Sequence, residues 1–221
     1  MSQVVVFGAT GYAGSRIVAE AARRGHRVTA VSRHGHAAAD TVSTESVRNA
    51  TGSLYDHEAV LDLTHDADVV VSAITSGPDS QGRTLPDAVP ILVDVSRRFG
   101  ARIGVVGGAG SLLIEEGGER VITQLEALAP PEKLRDIRLH MDFLDLLCGT
   151  ADDIDWFYVS PPKVFGAHVG GERRGHYRVG HDILLTDEQG NSAISGDDFA
   201  IAFVDEIDHP RHHRCRFTVA Y

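Results

Sequence analysis

Lysine is nearly missing from this chain. Its 221 residues include only Lys133 and Lys163, and the residues four positions before them are Ala129 and Val159. The Tyr-x-x-x-Lys pair, in which an ammonium lowers a phenol pKa so that a proton can be exchanged with an alcohol or ketone at neutral pH, is therefore absent. Ketone–alcohol chemistry by that route is excluded. Cysteine is equally scarce: Cys148 and Cys215 lie far apart, which argues for two buried thiols rather than a disulfide or a metal pair. No apolar stretch approaches the ~20 residues that span a bilayer, and the first strand begins without a signal peptide, so a cytoplasmic protein is expected. Basic residues are outnumbered, 21 against 31 acidic, for a formal net charge of −10. That balance opposes nonspecific attraction to nucleic acid or anionic membrane.

What is present is concentrated at the start. The run Val4-Val5-Val6-Phe7 leads into Gly8-Ala9-Thr10-Gly11-Tyr12-Ala13-Gly14 and then into an amphipathic helix expected over Ser15–Arg24, closed by Gly25. This is how a nucleotide-binding βαβ unit begins. Gly8 makes the tight turn, Gly11 lets the backbone approach a pyrophosphate, and Gly14 lets the helix pack closely on the strand, while the first helical N–H groups face the phosphates. The second strand, Arg27–Ser32, ends in Arg33 rather than in a carboxylate. A carboxylate there would hold a ribose 2′-hydroxyl, whereas Ser32 and Arg33, with His34 nearby, suit a 2′-phosphate. NADP(H) is expected in preference to NAD(H).

Strand and helix continue to alternate without a linker or repeat. Strands are expected at Val47–Ala50, Asp68–Ala73, Arg102–Val106 and Trp156–Val159, with helices from an Asp56 cap to about Thr64, over Leu85–Phe99 and over Pro131–Cys148. The last of these places Leu134, Ile137, Met141, Leu144 and Cys148 at helical spacing. Beyond Val159, a Pro161-Pro162 pair and a glycine-rich stretch precede short β segments at Tyr177–Val179 and Ile183–Leu185. Ser195 then opens a helix over Phe199–Ile207, and a strand over Arg214–Tyr221 closes the chain. The expected fold is a doubly wound α/β Rossmann-type parallel sheet in one domain, residues 1–221, with residues 160–221 forming a small substrate-side lobe. Ligands of such sheets bind outside the carboxyl ends of the strands, so Thr10, Ser32, Ala73, Ser111 and Ser160 are expected to meet at one crevice.

These motifs, together with Val106-Gly107-Gly108-Ala109-Gly110-Ser111, Tyr177-Arg178-Val179-Gly180 and the closing Arg216–Tyr221, extend over nearly the whole chain. In them it resembles the atypical short-chain dehydrogenase/reductases grouped as NAD(P)H-flavin reductases, and is similar to flavin/biliverdin reductases and NmrA-like regulators. The resemblance implies cofactor contacts from Gly8, Thr10, Gly11, Tyr12 and Ala13, and from Arg33 at the adenosine phosphate. It also implies contacts from Leu54 near adenine, from Ala73, Ile74 and Thr75, and from Pro161 near the nicotinamide. Ser53 stands where related sequences usually carry Asp beside the adenine amine.

Without a Tyr-Lys pair, two functional classes stay open. One is an NADPH-dependent reductase of a planar conjugated acceptor such as a flavin, quinone or linear tetrapyrrole, where the cofactor carries the chemistry. The other is an NmrA-like redox sensor that binds NADP(H) without turnover. For the reductase, Ser111 is the expected catalytic hydroxyl, placed to hydrogen-bond the nicotinamide amide or an acceptor carbonyl. His140 lies on the long helix where related proteins keep proton donors, although a lone histidine there is more often a surface or core residue. His209, His212 and His213 flank Pro210 among arginines and are not expected to hold a metal. Glu172-Arg173-Arg174 reads as a solvated loop whose arginines could meet an anionic substrate.

Overall fold

The computed structural model describes residues 1–35 and 46–221. Eight strands form one sheet: β1 (Gln3–Phe7), β2 (Arg27–Ser32), β3 (Val47–Thr51), β4 (Val69–Ser72), β5 (Arg102–Val106), β6 (Trp156–Ser160), β7 (Arg178–Gly180) and β8 (Cys215–Ala220). Their order is β3-β2-β1-β4-β5-β6-β8-β7, parallel throughout except for the antiparallel β7–β8 edge. The helices are α1 (Tyr12–Arg23), α2 (His57–Thr64), α3 (Val89–Phe99), α4 (Val121–Leu125), α5 (Pro131–Cys148) and α6 (Gly196–Asp208).

Strand periodicity divides the apolar residues between two layers. Val4 and Val6 of β1 and Phe157 and Val159 of β6 turn to the face covered by α1 and α6, where Ile17, Val18, Phe199 and Phe203 meet them. Val5, Phe7, Trp156 and Tyr158 turn the other way, against Leu92, Val95, Phe143 and Leu147 of α3 and α5. Both faces are dry, as a parallel sheet requires. The order reverses between β1 and β4, the place at which such sheets offer a crevice outside the carboxyl ends of their strands.

Most expected boundaries hold, and the departures have local causes. Helix α1 begins at Tyr12, three residues early, because Gly11 already serves as its N-cap; Gly25, at φ +85°, ends it. The helix expected at Leu85 opens as one 3-10 turn, Leu85–Ala88, capped reciprocally by Thr84 and Asp87. No strand forms over residues 183–185; Ile183 makes only a bridge to Leu113. Helix α5 has the expected span but buries Leu134, Phe143, Leu144 and Leu147, leaving Cys148 exposed rather than in the core. Ile137 instead covers Gly110, where an added Cβ would lie 2.1 Å from Ile137 Cγ2. The helix packs on a loop as well as on the sheet, and a single apolar stripe does not describe it. Of residues 160–221, β8 lies between β6 and β7 within the sheet and α6 lies beside α1.

Candidate functional site

The turn after β1 is shaped by its three glycines in three ways. Gly8 has φ +84°, and a Cβ there would sit 2.3 Å from the Ala73 carbonyl oxygen, so side chains are excluded by conformation and by the loop after β4. A Cβ on Gly14 would lie 2.2 Å from the Gly8 carbonyl oxygen, which makes it the close contact between helix and strand. Gly11 is less confined: its φ is −75°, and its Cβ would meet the Gly8 and Ala73 carbonyl oxygens at 3.2 and 3.8 Å, so the turn would have to give by a few tenths of an ångström. A ligand approaching the backbone adds a second reason for glycine there.

Helix α1 has no side-chain cap and no acidic residue in its first turn, whereas Asp56 caps α2 and Ser195 caps α6 through their side-chain oxygens. Its first amides are left for an anion. Around this turn the crevice of about 140 Å³ is lined by Gly8, Thr10 and Gly11, by Ser32 and Arg33, by Ser53 and Leu54, and by Ala73, Ile74 and Thr75. Ten of the sequence-expected residues are thus brought together. Ser32 and Leu54 are buried in its wall and Arg33 stands exposed at its rim. Ser53 Oγ accepts from the Tyr55 amide at 3.3 Å. Ala13 and Gly14 lie buried beneath, in the first turn of α1.

Tyr12 turns elsewhere. Its hydroxyl accepts from the Gly196 amide at 3.0 Å and its ring carries the Arg16 guanidinium at 4.2 Å, so it ties α1 to α6. Tyr55, unremarked in the sequence, also borders the nucleotide crevice; burial raises its phenol pKa to about 12, and its hydroxyl has no partner among the described residues. Arg83 donates to the Tyr55 carbonyl at 2.9 Å and pairs with Asp79 at 2.8 Å, which folds the loop after β4 over this end.

On the far side of that loop lies a second crevice of about 270 Å³, between the Gly107–Gly110 loop after β5, helix α5 and Pro161–Lys163 after β6. Pro161, expected near the nicotinamide, lines this second crevice and not the first. Ser111 and Ser160 do not line this second crevice. The Ser111 hydroxyl oxygen accepts from Arg216 Nη1 at 2.6 Å, and Ser160 is fully buried in the sheet. The pull of a charged β8 side chain on the first, and burial of the second, keep both hydroxyls out of the expected meeting point.

His140 takes the place foreseen for a polar group. Its Nδ1 is buried without a hydrogen-bond partner among the described residues, and desolvation lowers its pKa to about 4, against the opposing pull of Asp136. It is neutral at pH 7. Beneath it the fully buried Tyr158 donates to the His140 carbonyl at 3.1 Å and accepts from the Gly108 amide at 2.9 Å. Burial pushes that phenol well above its ordinary value, so it serves as a strut rather than an acid. Periodicity hid this pairing because Tyr158 reads simply as a core strand residue.

The three C-terminal histidines are held apart: His212 pairs with Glu206 at 2.7 Å and stacks on Phe217, while His213 meets Asp155 at 3.0 Å. Arg173 reaches the nearly buried Glu20 of α1 at 3.0 Å, so part of the expected solvated loop is anchored to the nucleotide-binding helix.

The sequence model of the NAD(P)H-binding family matches residues 8–210, from the glycine turn to beyond α6. The chain belongs to this NAD(P)H-binding family. It is 34% identical to the uncharacterized protein YwnB of Bacillus subtilis (strain 168), over 98% of this chain and 97% of that one. Among solved structures it is similar to SP1627 of Streptococcus pneumoniae TIGR4, a candidate NADH-flavin reductase, with 31% identity, a TM-score of 0.72 and coverage of 100% and 99%. ChuY, an anaerobillin reductase of Escherichia coli O157:H7, shares the fold at 17% identity, with a TM-score of 0.72 and coverage of 99% and 97%. Family membership implies a nicotinamide nucleotide, and the uncapped first turn of α1 beside the glycine turn fits an anionic group. No helix among the described residues is long and apolar enough to cross a membrane.

Proposed function

We propose that this protein is a cytoplasmic NADPH-dependent reductase of a planar, conjugated acceptor such as a flavin or quinone. The observation that carries the reading is the second crevice: it adjoins the nucleotide site across one loop, yet it offers no activated phenol. Tyr158 is locked between two backbone groups and His140 is neutral, so neither supplies a ready acid at pH 7. An acceptor that delocalises charge needs none. When bound, the nicotinamide supplies a hydride, two electrons with one hydrogen, and the acceptor takes its balancing proton from solvent.

The chain's own part is to orient and to exclude water. Gly8, Thr10, Gly11 and the first turn of α1 would hold the pyrophosphate, and Leu54 and Ser53 would border the adenine. Ser32 and Arg33, with no carboxylate at the end of β2, favour a 2′-phosphate and hence NADPH. Pro161 and the Gly107–Gly110 backbone would flank the reacting rings, with His140 facing the acceptor as a neutral hydrogen-bonding group. We give this place to His140 rather than to Ser111, which does not line the crevice. The test is NADPH oxidation with a panel of flavins, quinones and simple aliphatic ketones. Turnover of the conjugated acceptors alone supports the reading; rapid ketone reduction overturns it. Tight NADPH binding without turnover of any acceptor overturns it in favour of a redox sensor.

A further inference from the structure

The second crevice carries a charge pattern that its place beside a nicotinamide does not require. Both lysines of the chain border it, Lys133 from the first turn of α5 and Lys163 from the segment after β6. Neither ammonium has an ion-pair partner among the described residues, although the protein as a whole bears a formal charge of −10. Two unpaired cations at one mouth of an acidic protein form a local positive field that draws in anions. Between them the walls are apolar, with Ile137, Val121, Leu125 and Phe165, and the buried Nδ1 of His140 lacks a partner. Asp136 also lines the crevice, one turn along α5 from Lys133; it is the carboxylate on this wall. A crevice with apolar walls and two cations at its edge fits a ring system that carries an acidic substituent.

We propose that Lys133 and Lys163 are specificity-determining residues that select an anionic conjugated acceptor, its phosphate or carboxylate held between the two ammoniums while its ring lies along the apolar wall. The inference rests on the proposed reductase reading for the identity of the crevice as the acceptor site. Binding of the anion, however, requires no turnover. Because the lysines are exposed, each contributes up to about fivefold in affinity, and the two together about tenfold or more.

The test uses two pairs of acceptors matched in ring and differing in charge, flavin mononucleotide against riboflavin and biliverdin against its dimethyl ester. Binding is measured with NADP⁺ present, by fluorescence quenching for the flavins and absorbance for the tetrapyrroles. The anionic member of at least one pair is expected to bind about tenfold tighter, with the flavin pair reporting phosphate recognition and the tetrapyrrole pair carboxylate recognition. In K133Q/K163Q that ratio falls towards one, in D136N it rises, and in the native protein added salt erodes it. Melting temperatures of the variants report whether they fold, which the exposure of both lysines favours. Equal affinities within both pairs, or a ratio unchanged in K133Q/K163Q, overturn the proposal. Oxidation of NADPH is followed separately. Charge selection without oxidation sinks the reductase reading and leaves the anion site; equal oxidation and equal binding of both members do the reverse.

Discussion

Replacing the glycines of the first turn one at a time should separate a requirement of the fold from a requirement of the ligand. A Cβ on Gly14 would lie 2.2 Å from a backbone oxygen that cannot rotate away, so Gly14→Ala forces α1 off β1. Overpacking of this kind costs ~1–3 kcal/mol. At Gly11 the nearest atom to a Cβ is the Gly8 carbonyl oxygen, 3.2 Å away, a tight contact that a shift of a few tenths of an ångström relieves, and the backbone is extended, at φ −75° and ψ 171°, which a branched residue adopts readily. Gly11→Val should therefore cost less stability than Gly14→Ala. Its side chain would nonetheless occupy the space that a pyrophosphate needs. NADPH at about 100 times its dissociation constant stabilises a protein by about 2.7 kcal/mol. For a chain of this size that is a shift of roughly 5–10 °C. Differential scanning fluorimetry with and without NADPH reads both effects: Gly11→Val melts closer to the native protein than Gly14→Ala does but loses the shift, and Gly14→Ala melts several degrees lower even without ligand. A Gly11→Val variant that still responds to NADPH would refute the reasoning, as would one destabilised as much as Gly14→Ala.

Arg33→Ala should weaken NADPH by roughly tenfold, the worth of a charge-assisted pair to phosphate, and leave NADH nearly unchanged; equal losses by titration calorimetry would remove the 2′-phosphate assignment. Glu20, nearly buried and bonded to Arg23, Arg24 and Arg173, has its pKa lowered from 4.5 to about 2 by these guanidinium hydrogen bonds, which overcome the desolvation that opposes them. A depressed folded-state pKa contributes stability that is present above pH 4.5 and lost as pH falls towards 2. Because Arg23 and Arg173 are 60% and 42% exposed, we discount the ~3 kcal/mol ceiling of that shift to ~1–2 kcal/mol. The stability gap between native protein and Glu20→Gln in urea melts should accordingly close between pH 4.5 and 2, and a gap independent of pH would rule this out. Tyr158→Phe leaves the Gly108 amide and the His140 carbonyl without their shared hydroxyl, at a cost of ~1–3 kcal/mol. It should lower kcat for a flavin without changing NADPH affinity; a parallel loss of both would show that the strut is not specific to the acceptor side.

The nucleotide half of the site was legible because its requirements are written in adjacent residues. The β-branched run, the three glycines and the end of the second strand each report a local constraint, and the crevice gathers those residues where they were expected. The second crevice is assembled across the chain, and local patterns do not report it. His140 was one reading among several until its unpartnered Nδ1 and the Tyr158 strut gave it a place, since that strut joins residues from β6, α5 and the β5 loop. Ser111, expected at the crevice, stands outside it. Nothing near it in sequence reveals that Arg216 would reach across from the last strand to claim its oxygen.

The confinement of both lysines to the second crevice bears on how the protein is handled at the bench. An amine-reactive dye, a biotinylating reagent or a lysine-directed cross-linker finds side-chain targets only at Lys133 and Lys163, apart from the amino terminus. Conventional labelling or surface immobilisation through amines would therefore plug or neutralise the mouth of the crevice while the population still melts and binds nucleotide normally. Attachment through the exposed Cys148, at the far end of α5, leaves both ammoniums free.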